Sequence, residues 1–164
     1  MDGLNKEAWV QKALIKAGAL SVSELMQETL ARIELVNPKV NALVNILSKE
    51  ACEKLTSAEY PVGGALGGMP MAIKDLANVK GFKTTEGSPL YSERVARKDD
   101  QTVARLRAAG ALFIGKTNTP EWGLGSQTFN RAFGATANPY DMSKTAGGSS
   151  GGAAASIAAD LIPI

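Results

Sequence analysis

Six residues near the C-terminus constrain this chain more than any other stretch: Gly147-Gly148-Ser149-Ser150-Gly151-Gly152. Four glycines bracket two adjacent serines, and an alanine-rich run from Ala153 to Ala159 follows. Glycine opens backbone conformations closed to other residues and removes side chains that block close approach. Such a turn ahead of a helix-forming run reads in two ways. It is a glycine-rich loop packed on a small-residue helix, or it holds two hydroxyls where a reactant reaches them.

The chain contains no histidine. A Ser-His-Asp or Cys-His arrangement therefore cannot form within it, and histidine metal sites are excluded. Cys52 is the single cysteine, so neither an internal disulfide nor a structural zinc site is expected. Acid–base chemistry at neutral pH then falls to a shifted carboxylate, a lysine or a tyrosine. One lysine stands out. Met69 to Leu76 reads as a buried strand with Lys74-Asp75 inside it, flanked by Ala72, Ile73 and Leu76. Lys74 is either a strand-end lysine, snorkelling to water or paired with Asp75, or a desolvated amine. Burial disfavours the ammonium, and a neutral amine accepts a proton.

The N-terminal third reads as helical. Residues 5 to 18 form a first helix with Trp9, Val10, Ala13, Leu14 and Ala17 on one face and Gly18 at its end. Ser21 or Ser23 caps a second, with Glu24 three residues after Ser21. Leu25, Thr29, Ile33 and Val36 recur at helical spacing, and Asn37-Pro38 is expected to stop the run. Val40 to Leu47 is ambiguous, and residues 48 to 58 look helical. Composition shifts at Tyr60-Pro61 into a glycine-rich loop. Residues 79 to 99 are turn-rich. Arg94, Arg97, Lys98, Asp99 and Asp100 read as a solvated face. Asp100 to Ala109 is an amphipathic helix stopped by Gly110, and Ala111 to Ile114 is a short buried strand. Strand, helix, strand points to an α/β layer. Residues 118 to 146 read as a long, mostly irregular stretch whose aromatics either pack it onto the core or serve function.

Two pattern matches mislead. Gly110 to Thr117 fits the phosphate-loop expression G-x-x-x-x-G-K-[ST], but that loop follows a strand and opens a helix. Here the intervening residues are themselves the strand, so their amides are not free to cradle phosphate. The glycine-serine stretch also fits the nucleophile-elbow pattern G-x-S-x-G, which fails without a histidine.

The length of 164 residues suits one domain with a real core. The formal charge of +2 gives no argument for nucleic acid. No apolar run is long enough to span a bilayer, and no signal pattern opens the chain. Cytoplasmic location is the expectation.

Three segments in order resemble the amidase signature family. They are Leu66 to Asp75 around Lys74, Asp100 to Gly125 with Gly115-Lys116-Thr117-Asn118-Thr119-Pro120-Glu121, and Phe133-Gly134 with Asn138-Pro139-Tyr140-Asp141 leading into Gly147 to Gly152. The resemblance implies the N-terminal portion of an α/β fold, a mixed β-sheet covered by helices. Residues 1–60 would be a helical cover and 61–164 part of the core, truncated before the nucleophile. It implies a Ser–Ser–Lys triad, with Lys74 as base and Ser149 as a bridging serine held by a cis peptide after Gly148. The nucleophilic serine would lie beyond Ile164, in a turn whose backbone N–H groups also build the oxyanion hole. Ser150 and Ser156 do not fill that role, the first as the bridging serine's neighbour and the second on the following helix. Gly125 and Ser126 would line the acyl pocket.

The activity implied is hydrolysis of a linear carboxylic amide, a small-molecule substrate, with no cofactor, metal, nucleic acid or membrane. This chain alone would have little or none of it. A second branch of the family, the amidotransferase A subunit that amidates misacylated glutamyl-tRNA, resembles the chain too. Leu124 to Asn130 and Asn138-Pro139-Tyr140 look more like a stand-alone amidase. A non-catalytic remnant is the third reading. Exposed sheet surface left by truncation implies instability or self-association.

Overall fold

The computed structural model describes residues 6–57 and 63–164. The expected boundary at residues 60–61 lies outside them, as does Asn5 at the start of the first expected helix. Helix α1 spans Ala8–Lys16 and α2 spans Val22–Val40. Ser21 accepts the Glu24 N–H while the Glu24 carboxylate accepts the Ser21 N–H, a complete capping box. The buried face of α1 differs from the expected one. Gln11 is buried and Leu14 and Ile15 pack inward, whereas Trp9 is exposed. Apolar residues ring this short helix, so spacing alone does not select a face. Pro38 does not stop α2 either. Proline lacks an N–H and disfavours a helical residue before it, yet the helix runs two residues past Pro38, to Val40, before Asn41 turns left-handed. Beyond it the Asn37 carboxamide oxygen accepts the N–H groups of Ala42 and Leu43.

Three strands form a mixed sheet: β1 (Leu43–Val44), β2 (Pro70–Lys74) and β3 (Leu112–Thr117). Strand β3 is central, antiparallel to β1 and parallel to β2. Residues from the expected helical cover thus supply one edge of the core sheet. Helix α3 (Lys49–Lys54) is shorter than expected, and α4 (Gln101–Ala108) precedes β3. Since β3 runs on through Gly115-Lys116-Thr117, the phosphate-loop match is sheet, as its context demands.

Register across this sheet aims the site. Met71 pairs with Phe113 but Ala72 pairs with Gly115, so Ile114 is an extra residue in β3. A bulge of this kind re-aims the side chains beyond it. Phe113 packs with Met71, Val79 and Val103 on the α4 face. After the bulge Lys116 returns to that face, where it meets Asp75. The other face carries Leu112 and Ile114, packed with Leu43 and with Ala155 of helix α5 (Gly151–Ala158). Lys74 alternates with Ile73 and Asp75 and so turns toward α5.

Two other expectations are revised. Asp99 and Asp100 are structural: Asp99 accepts the Lys80 N–H and pairs with Arg107, and Asp100 accepts the Asn78 N–H. The stretch 118 to 146 contains two small antiparallel ribbons. In one, β4 (Phe129–Asn130) pairs with β5 (Gly134–Ala135); in the other, β6 (Ala137–Asn138) pairs with β7 (Asp141–Thr145). Its aromatics do not fill the core: Trp122, Phe129 and Tyr140 are exposed.

Candidate active site

Strand β2 ends at Lys74, and the glycine-serine turn enters α5 beside it. Lys74 Nζ lies 2.8 Å from Ser149 Oγ and 2.9 Å from Ser150 Oγ. The peptide between Gly148 and Ser149 is cis. Desolvation lowers the Lys74 pKa below the ordinary lysine value. The Lys74–Asp75 pair read as one alternative in the sequence is not made. Asp75 instead faces Lys116 at 3.3 Å, and both side chains are fully buried.

That second lysine is the feature the sequence reading missed. Lys116 Nζ also donates to Ala77 O at 2.7 Å and to Thr84 Oγ1 at 3.1 Å. Asp75 accepts both the N–H and the hydroxyl of Thr85. Burial lowers the Lys116 pKa, and the Asp75 charge opposes that shift. The pair pins the end of β2 to the loop at 77–85 and so fixes the backbone that carries Lys74. A lysine inside a phosphate-loop pattern and an aspartate after a candidate base were the available signals.

Beneath the serines the turn is set by close backbone approach. The Gly151 N–H donates to Thr128 Oγ1 at 3.0 Å, and the Thr128 N–H donates to Gly147 O at 2.8 Å. A Cβ on Gly152 would stand 2.4 Å from Asn118 N and 2.5 Å from Asn118 O. Only glycine permits that contact. Asn118 is held in turn by Thr136 Oγ1 and by the Asn130 amide. Gly125 and Ser126 are exposed, just ahead of Thr128. Chemically, the arrangement is an amine of reduced basicity touching two hydroxyls, one of them open to solvent.

The amidase family model matches residues 24–164. The chain belongs to the amidase family. Among curated relatives, the A subunit of glutamyl-tRNA(Gln) amidotransferase from Syntrophobacter fumaroxidans is 42% identical over 146 residues, 87% of this chain and 30% of the relative. The same-named protein of Alkaliphilus metalliredigens is 39% identical over 166 residues, 97% of this chain and 32% of its own length. Among solved structures, 6-aminohexanoate cyclic dimer hydrolase complexed with substrate superposes with TM-score 0.88 at 36% identity, covering 99% of this chain and 33% of that one. A bacterial aryl acylamidase of the amidase signature family gives TM-score 0.84 at 32% identity, covering 96% of this chain and 34% of that one. This amidase chain therefore spans about a third of the length of the relatives it matches, and its fold is the α/β fold of amidase-signature enzymes.

Proposed function

We propose that this chain carries two of the three groups of a Ser–Ser–Lys site that hydrolyses a carboxylic amide. Lys74 is the base and Ser149 the bridging serine. The nucleophilic serine lies outside residues 1–164. Neutral Lys74 takes the Ser149 proton as Ser149 takes that of the nucleophile. The alkoxide adds to the amide carbon, the C–N bond breaks, and the amine leaves with the proton. Water then releases the acid. The carrying observation is the 2.8 Å separation of Lys74 Nζ and Ser149 Oγ in a chain without histidine. Gly125 and Ser126, exposed just ahead of Thr128, would border the acyl group.

The test joins residues 1–164 to the remaining two thirds of the cyclic dimer hydrolase. Amide hydrolysis by this chimera should fall at least ~100-fold in both Lys74→Met and Ser149→Ala, the scale of a lost proton-transfer group. Hydrolysis that survives both substitutions would sink the assignment.

The names of the curated relatives support a second reading, that of an amidotransferase A subunit. A chimera with the Syntrophobacter remainder that amidates glutamyl-tRNA only with partner subunits and ATP would favour it.

A further inference from the structure

On sequence Ser150 is only the neighbour of the bridging serine, yet its Oγ lies nearly as close to Lys74 as that of Ser149. The two hydroxyls differ in access. Ser150 is exposed, whereas Ser149 is partly buried and its carbonyl oxygen lies 3.5 Å from Thr119 Oγ1. Ser150 is also the N-cap residue of α5, but its side chain makes no capping bond. Its hydroxyl is thus spared for Lys74. A neutral amine has a single lone pair, so Lys74 accepts a proton from one hydroxyl at a time while its N–H donates to the other.

We propose that Lys74 and Ser150 form a serine–lysine dyad within this chain, which takes an acyl group from activated esters without the third serine. Lys74 Nζ removes the Ser150 hydroxyl proton. Ser150 Oγ bonds to the carbonyl carbon of the ester, and the bond to the aryloxide oxygen breaks, the aryloxide leaving with the electron pair. The proton stays on Lys74, whose ammonium then donates to Ser149 and to the acylated oxygen. The developing oxyanion lies near the start of α5. There the first-turn N–H groups of Gly152 and Ala153 have no acceptor within the helix, and the helix dipole favours negative charge. Amides, with a poorer leaving group, are not turned over.

The inference rests on Lys74 acting as a base, as in the proposed function. The experiment treats the 164-residue chain with p-nitrophenyl acetate and, separately, with a fluorophosphonate, and locates the adduct by peptide mass spectrometry. The expected result is one adduct, on Ser150, absent in Ser150→Ala and formed at least ~100-fold more slowly in Lys74→Met. A Lys74-dependent adduct on Ser149 would overturn the dyad and leave the proposed function standing. An adduct on Ser150 formed equally fast in folded Lys74→Met would overturn the dyad, as would no adduct at all, and the proposed function would still be decided by the chimera. Circular dichroism checks the fold of Lys74→Met. If that variant is unfolded, the pH dependence of labelling in the unaltered chain decides. A plateau with its midpoint below 10.5, the ordinary lysine value, supports the dyad, and a rate that climbs with hydroxide and never levels overturns it.

Discussion

At the scale of single residues, desolvation and close approach shape this site. Desolvation holds the Lys74 pKa below 10.5, so the amine loses its proton at lower pH than an exposed lysine. Any reaction that uses the amine should therefore speed up as pH rises and level off once Lys74 is neutral. Amide hydrolysis in the chimera should follow that curve, with its basic limb lost in Lys74→Met. Close approach predicts a stability effect. The three atoms nearest a Cβ on Gly152 are all backbone, Asn118 N and O and Ala42 O, the last at 2.8 Å, and these cannot move aside as a side chain could. Gly152→Ala should cost about 3 kcal/mol in urea unfolding, at the upper end of overpacking effects. It should also separate Ser149 from Lys74, because α5 begins beside that contact. A variant as stable as the parent would mean that the turn is looser than its geometry.

Elements differ in how far local sequence specifies them. The start of α2 was legible because its signal is local: Ser21 and Glu24 carry the capping box at the right spacing. Ser21→Ala should lower stability by about 1 kcal/mol in urea unfolding. The end of α2 was not legible, because the Asn37 side chain carries the backbone past Pro38 through bonds to Ala42 and Leu43. Likewise the ribbons within 118 to 146 use paired strands as short as two residues, too short to show an alternation. For the site, Lys74 and the serine turn stood out as residue types out of place. Asp75 and Lys116 did not, since their pairing depends on the bulge that returns Lys116 to the Asp75 face of the sheet. Removing one partner leaves a buried charge uncompensated. Asp75→Ala should thus destabilise the chain by about 3–5 kcal/mol, read from the urea midpoint. A loss below about 1 kcal/mol, the scale of an exposed pair, would show that Lys116 finds other company.

For the molecule as a whole, the governing matter is surface. Leu124, Phe129 and Tyr140 are more than half exposed, and Trp122 and Met142 nearly so. All five fall within 122–142, on the segment that runs toward the serine turn. Among the described residues no strand pairs with the outer edge of β2, the strand that presents Lys74. Open strand edges and clustered apolar side chains are what folded monomers avoid. In relatives about three times as long, chain beyond this third is available to cover such surface. A polypeptide of these 164 residues lacks that cover, so it should associate with itself at micromolar concentration. Sedimentation velocity should show a mean size that grows with concentration. Substituting Leu124→Ser and Tyr140→Ser together should shift the distribution toward monomer without altering the far-ultraviolet spectrum, since neither side chain is in the core. If the unaltered chain instead sediments as one species across the whole range of concentration, its exposed face is tolerated as it stands. The dyad of Lys74 and Ser150 would then work in an unassociated monomer.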